Sequence, residues 1–496
     1  MNQILQRITS HARQRPTQPA VLDHGGSLTY RELDSEIRRL AGLLRSRRVA
    51  WLMGNSCAWA VLDLAVQSNS AVGIPIPPFF SDAQLEHVLG DARPDLVVTD
   101  QPQRLIGLLH MSPAVELWVA GRRLSWFRLA AADTAPLPGD TAKLTYTSGT
   151  TGRPKGVCLG AAALAQVTMS LSQAVQATPD DRSLALLPLS TLLENIGGVY
   201  APLYSGAQAC LPDLTDCGLR GSSGADPAQV IAALDHFRPT STILVPQLLK
   251  VMVEAAQHGA PVPGSLRFAA VGGAHTAPAL IERARRLSLP VYEGYGLSEA
   301  CSVVSLNLPD RDHVGSAGRV LPHARVRIAE DGEVVVGGTL FTGYLGRPGP
   351  AAGEWRTGDL GRLDADGYLH ITGRKRSAYV TAYGRNVSPD WVEGELLATS
   401  AVMQAAVFGE GRPYNVAVLV PHPRATTGAI FRAMAETNRR LPDYARVPRW
   451  IIANDVFTPA NGLSRGSGSV NRSAVANTYA AEIENLYARE ETDVLV

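Results

Sequence analysis

The stretch that most narrows what this chain can become is residues 144–160, LTYTSGTTGRPKGVCLG. An apolar, β-branched and aromatic run opens it and reads as a strand. Residues 147–156 then place three glycines, four hydroxyls and two cations in ten positions. Such a set makes a poor core and a good cradle for phosphate oxygens. Glycines let backbone N–H groups approach an anion, hydroxyls donate hydrogen bonds, and cations offset the charge. The spacing is not that of the Walker loop, G-x-x-x-x-G-K-[ST], because Lys155 is followed by Gly156.

The flanking sequence predicts the sheet that such a strand needs. Residues 20–22, 49–53, 72–76 and 96–98 read as apolar strands, and residues 1–16, 31–45, 59–67 and 85–89 as helices. Strands apolar on both faces, alternating with helices, imply a largely parallel, helix-covered sheet. The pattern continues with a helix at 164–176, strands at 184–189, 242–245 and 268–271, and a helix at 246–258. Residues 332–338 and 343–345 read as Gly-punctuated β structure. Residues 49–80 carry one charge, Asp63, but Gly54, Asn55, Ser56, Gly73, Pro75, Pro77 and Pro78 break any 20-residue apolar run. A buried strand, helix and strand is expected there, with no integral membrane span.

Length and charge limit the rest. The 496 residues suit two to four domains. A net charge of +1 gives no field to attract nucleic acid or an anionic membrane. Cys57, Cys158, Cys210, Cys217 and Cys301 show no metal-ligand spacing, so reduced thiols and a cytoplasmic location are expected. The first sixteen residues lack the apolar core of a secretory signal. Of the 46 basic residues only Lys143, Lys155, Lys250 and Lys375 are lysines.

Residues 147–156 resemble the phosphate loop of the acyl-adenylate-forming superfamily, which includes acyl-CoA synthetases, nonribosomal-peptide adenylation domains and luciferases. Three further segments carry the resemblance: VYEGYGLSE at 291–299, WRTGD at 355–359 and ITGRKR at 371–376. It covers nearly the whole chain. It implies an α/β fold: a large N-terminal domain of helix-covered, largely parallel sheets with a β-rich subdomain (1–374), then a small mobile α+β cap (375–496). Thr147, Ser148, Gly149, Thr150, Thr151, Gly152 and Lys155 would hold the phosphates of ATP. Gly272, Gly273, Ala274, Tyr292, Glu293, Gly294, Tyr295 and Gly296 would line the adenine site, where an aromatic beside glycines suits a flat purine. Ser298 would reach phosphate, and Glu299 with Thr147 would hold Mg²⁺, which prefers oxygen ligands. Asp359 would accept from the ribose hydroxyls, with Arg374 a second contact and Arg376 the hinge. Thr191, Asn195 and Gly197 would belong to the acyl pocket, Thr191 standing where relatives carry a larger aromatic or histidine. The cap's YGRNVSP at 383–389 would form the thioester-forming face.

One departure bears on chemistry. Relatives carry a C-terminal lysine that reaches the substrate carboxylate and the α-phosphate. The matching loop here, 461–472, reads NGLSRGSGSVNR and places Ser469 at that position. The cap has no lysine beyond Lys375, so Arg465 and Arg472 are the nearest cations, with different reach and geometry. The resemblance implies ATP-dependent, AMP-forming activation of a carboxylic acid, most like the fatty acyl-CoA synthetase branch. Transfer to CoA or to the phosphopantetheine of an acyl carrier protein would follow. Ser469 keeps open two alternatives. One is a homologue limited to a transfer half-reaction or another AMP-releasing step; the other is a non-catalytic nucleotide- or acyl-binding partner.

Overall fold

The computed structural model describes residues 3–130, 137–147, 154–220, 224–350, 352–383, 385–465 and 468–488. The N-terminal body holds two nine-stranded sheets and a four-stranded one. In the first sheet, Arg48–Leu52, Val72–Ile76 and Leu96–Thr99 run parallel, and Thr141–Thr147 joins Val72–Ile76 in the same direction. Thr141–Thr147 also pairs antiparallel with Lys155–Gly160, with Thr147 opposite Lys155. In the second sheet, Pro19–Asp23, Gln208–Cys210, Arg182–Leu184, Ser241–Leu244, Phe268–Val271 and Val291–Leu297 are successive parallel neighbours. The smaller sheet orders Ala324–Ile328, Glu333–Gly338, Glu354–Leu363 and Leu369–Arg374 antiparallel.

Residues 49–80 form the expected strand, helix and strand. The helix Cys57–Ser68 has only twelve residues, nearly all buried, and its N-terminus is capped by Ser56. No helix among the described residues is long and apolar enough to cross a membrane. The helix Tyr30–Leu43 starts on a capping box, Thr29 with Glu32, which satisfies two N-terminal N–H donors. All five cysteines are free and buried.

The expected strand 184–189 is shorter than its apolar run. Only Arg182–Leu184 pairs as a strand. Beyond it the backbone is satisfied by side chains. Asn55 donates to the Leu187 carbonyl and accepts from the Leu189 N–H, both at 2.9 Å, and Glu194 Oε2 accepts from the Leu187 N–H at 3.2 Å. Next, residues 195–200 form a π-helical turn. Its five-residue hydrogen-bond step aligns Asn195 with Tyr200, and both reach Asp63. Lys143 completes this fully buried cluster, its Nζ 2.8 Å from Asp63 Oδ1.

The C-terminal region folds around Val402–Phe408, Val416–Pro421 and Arg449–Ile452, with helices Pro389–Leu397 and Thr427–Arg440 against them. It docks on the body through named bonds. Lys250 Nζ donates to the carbonyls of Leu397 and Val402, both at 2.8 Å, and Arg283 donates to Ala398.

Candidate active site

Three sheets meet through two tyrosine hydroxyls. Val291–Leu297 ends in the turn Ser298–Ala300, which sets Glu299 beside the first sheet. There Tyr344, on a short strand paired with Lys155–Gly160, donates to Glu299 Oε1 at 2.6 Å. From the same second-sheet strand, Tyr295 donates to Asp359 Oδ2 of the smaller sheet at 2.6 Å. Asp359 stands opposite Arg374 across its own hairpin, and Arg374 Nε lies 2.7 Å from Asp359 Oδ1. Ligands of open α/β sheets collect at the carboxyl ends of parallel strands. Thr147 and residues 271–274 and 295–299 lie at such ends.

Burial shapes the charges. Asp359 is 3% exposed, and desolvation raises its pKa against the pull of Arg374, while Glu299 and Asp390 add like charge. Tyr295 is pushed up by burial and by the Asp359 carboxylate, so its hydroxyl stays a donor. Glu299 Oε2 has no hydrogen-bond partner among the described residues. A carboxylate oxygen of this kind suits a hard divalent cation, so the chemistry of Glu299 fits a Mg²⁺ ligand. Lys155 is exposed, its Nζ 5.9 Å from the centroid of the Tyr344 ring.

Not every expected residue joins this cluster. Ser148, Gly149, Thr150, Thr151 and Gly152 lie outside the described residues. Gly272 backs onto the second-sheet strand, where a Cβ would stand 3.1 Å from the Gly294 carbonyl oxygen. Gly273 adopts φ +82°, and it and Ala274 are exposed. Gly294 and Gly296 lie against the neighbouring strand, where a Cβ at Gly296 would overlap the Ser302 carbonyl. Tyr292, three residues from Tyr295, is not brought to Asp359. Its ring stacks on Phe268 at 5.1 Å and carries the Arg285 guanidinium at 5.3 Å. Glu293 points inward instead, its carboxylate oxygen 3.4 Å from the Thr276 N–H, and burial pushes it up to about 7.

The three residues expected at the acyl pocket stand in different surroundings. Asn195 is 1% exposed and its amide is spent: Oδ1 accepts from Lys143 at 2.5 Å and Nδ2 donates to Asp63 at 3.1 Å. It is a core residue held by a buried charge. Gly197 is a packing glycine, where a Cβ would stand 2.5 Å from Ile243 Cδ1. Thr191 occupies the position before the short helix Leu192–Glu194 without a side-chain capping bond, and is partly exposed.

The cap packs its segment 385–389 against the strand that carries Arg374. Ser388 packs on the strand carrying Arg374, where a Cβ at Gly373 would overlap Ser388 Oγ. Arg376 is exposed on the turn that follows Arg374. Arg472 is not available to replace a lysine. Its Nε and second terminal nitrogen bond both oxygens of buried Glu393, at 2.7 and 2.6 Å, and it also bonds Asp390. Arg465 and Ser469 close a tight turn, Arg465 N–H to Ser469 carbonyl at 2.8 Å, and both are exposed. Tyr344 was the functional candidate hidden in the sequence. Residues 343–345 are conspicuous for their glycine, and the tyrosine's partner lies 45 residues away.

The two anionic groups, Glu299 and Asp359, are gathered where three sheets meet, and the chain's sequence matches a known class. Residues 8–345 match the AMP-binding enzyme family and residues 377–491 the AMP-binding enzyme C-terminal domain. The chain belongs to the AMP-binding enzyme family, as an AMP-forming enzyme of the acyl-CoA ligase type. It is similar to the long-chain-fatty-acid–CoA ligase FadD15 of Mycobacterium bovis, 27% identical over 93% of this chain and 92% of the relative. It is also similar to a feruloyl-CoA synthase of an Amycolatopsis species, 32% identical over 83% of this chain and 87% of the relative. Its fold matches that of o-succinylbenzoate coenzyme A synthetase (MenE) from Bacillus subtilis, solved in complex with ATP and magnesium ion. The TM-score is 0.73 at 22% identity, covering 95% and 98% of the two chains.

Proposed function

We propose that the protein activates an aliphatic, fatty-type carboxylic acid as its acyl-adenylate and passes the acyl group to the thiol of CoA or of a carrier-protein phosphopantetheine. The observation that carries this reading is the Tyr295–Asp359–Arg374 and Tyr344–Glu299 pair of contacts. Asp359 would accept from the ribose hydroxyls and Arg374 would reach the same sugar. Tyr295 offers its ring to adenine. Thr147 and Lys155, with the hydroxyl-rich loop between them, would hold the phosphates. Glu299 would hold Mg²⁺, which when bound offsets charge on the phosphate oxygens. The substrate carboxylate attacks the α-phosphorus and pyrophosphate leaves, so the chain's work is positioning and electrostatics. The cap would turn about Arg376 between the two half-reactions. The aliphatic preference draws support from the full-length likeness to a long-chain-fatty-acid ligase.

A second reading, a transfer-specialised homologue, is favoured by one observation: Ser469 stands at the lysine position while Arg472 is tied to Glu393 and Asp390. Loss of an aimed cation costs roughly 10²–10³ in rate. The deciding experiment is carboxylate-dependent exchange of pyrophosphate into ATP, run with saturated fatty acids and with ferulate. Slow exchange with the fatty acids is expected. Exchange with ferulate alone overturns the aliphatic assignment. No exchange with any acid, in protein that still binds AMP, transfers the weight to the second reading.

A further inference from the structure

We propose that His313, Asp364 and His370 form a binding site for a divalent transition-metal ion of the Zn²⁺ type, separate from the Mg²⁺-ATP site. Their ligand atoms all lie within 4.8 Å of one another. Asp364 Oδ2 is 2.8 Å from His370 Nε2 and 3.5 Å from His313 Nδ1. Two imidazole nitrogens and one carboxylate oxygen suit Zn²⁺, Co²⁺ or Ni²⁺, and they discriminate against Mg²⁺, which asks for oxygen ligands.

Each donor is already aimed by the backbone around it. His370 Nδ1 lies 3.1 Å from the Gly315 carbonyl, which can only accept. Both ring nitrogens thus face acceptors in the ion-free cluster, Nδ1 the Gly315 carbonyl and Nε2 the Asp364 carboxylate, and a metal ion would take the Nε2 side while Nδ1–H keeps the carbonyl. Bound-metal histidines are held in this way, by an outer carbonyl that sets tautomer and ring plane. Asp364 Oδ1 takes the N–H groups of Tyr368 and Asp366, at 2.9 and 3.1 Å, which leaves Oδ2 facing the two imidazoles. The His313 N–H donates to Asn307 Oδ1 at 2.9 Å and its carbonyl accepts from Ser316 Oγ at 2.8 Å, so the loop bearing it is pinned on both sides. His313 is half-exposed, its side chain at 48%, so the remaining coordination positions open to water.

The ion would clip two segments together. His313 lies in the loop between the second-sheet strand Ser302–Leu306 and the strand Arg319–Val320. Asp364 and His370 belong to the hairpin of Glu354–Leu363 and Leu369–Arg374, which also carries Asp359 and Arg374. Metal binding would stiffen the support of those two residues without touching them.

Untagged full-length protein, stripped with EDTA, is titrated with zinc by calorimetry and with cobalt by visible absorption, beside His313→Ala and His370→Gln. The expected result is one tight equivalent of zinc, an intense cobalt band of a nitrogen-ligated site, and a higher Tm with zinc. All three signals should be lost in each variant, while the stripped variants keep the native circular dichroism. If His370→Gln does not fold, the half-exposed His313→Ala decides alone. No saturable binding, or binding unchanged in the variants, overturns the proposal and leaves the cluster a set of ion pairs.

Discussion

The body and the cap treat their cations in parallel ways, and the exposed member of the pair is a lysine in one and an arginine in the other. In the body, Lys143 is sunk beside Asp63, and Lys155, on the paired strand of the same hairpin, stays exposed. In the cap, Arg472 is partly buried against Glu393 and Asp390, and Arg465 stays exposed on a turn. A buried cation has lost its hydration and is held by the acid that replaced it, so it serves the fold. Only the exposed one remains to meet a ligand. In the body the exposed cation is a lysine, Lys155. The cap keeps an arginine four residues from Ser469, and a planar guanidinium has other reach and donor geometry than an ammonium.

The largest test of this division lies in the body. Asp63→Ala leaves the Lys143 charge buried without its counter-ion, and urea unfolding should show a loss of about 3–5 kcal/mol. The double change Asp63→Leu with Lys143→Met should recover much of it, since neither charge then remains inside. If Asp63→Ala is neutral, Lys143 is not a structural cation and the parallel fails. The next effect belongs to the cap. Ser469→Lys restores an ammonium, and pyrophosphate exchange should rise by roughly 10²–10³, about 3–4 kcal/mol in the barrier. An unchanged rate would mean that this loop does not reach the phosphates.

The seam between the two regions titrates. Glu293 sits beside His275, whose ring abuts Gly394 of the cap helix and whose Nε2 is 4.0 Å from Glu395 Oε1. The Glu293 carboxyl is at about 7 in the fold, above its ordinary 4.5, because burial disfavours its charge. Its contribution is therefore complete below pH 4.5 and is lost as pH rises to 7. At 1.36 kcal/mol per pH unit that amounts to about 3 kcal/mol. Glu293→Gln should flatten the stability profile over this window, measured by denaturant unfolding at several pH values. An equal slope in the variant refutes the assignment.

How much of this was legible follows from the range over which each signal acts. Strands 72–76 and 268–271 and the helix Cys57–Ser68 announce themselves through local apolar patterning. The run at 184–189 misleads, because an apolar strand and an apolar loop stapled by Asn55 look alike until the partner 130 residues away is known. Motif likeness singles out Glu299, Asp359 and Arg374, and the fold then brings Tyr295 to Asp359 and Tyr344 to Glu299. It treats 291–299 as a block, whereas the strand sends Tyr292 to Phe268 and Tyr295 to Asp359. Asp63 was visible as the one charge of residues 49–80, and Lys143 only as one of four lysines. Nothing local says that residues 80 apart in sequence answer each other.

The smallest effect separates the two cap arginines most sharply. Arg465→Ala removes an exposed side chain on a turn whose bonds are made by backbone, Arg465 N–H to Ser469 carbonyl and Gly468 N–H to Arg465 carbonyl. Stability should stay within about 0.5 kcal/mol, as for surface positions generally. If this guanidinium meets phosphate, exchange should fall by about tenfold, the worth of a hydrogen bond to a charged group. Arg472→Ala should do the reverse: the cap loses stability because Glu393 is left buried and unpaired, and the exchange rate per folded molecule moves little. Should Arg465→Ala leave exchange untouched while Arg472→Ala lowers it in folded protein, the paired cation is the one that acts, and the division between structural and ligand-facing charge does not hold in the cap.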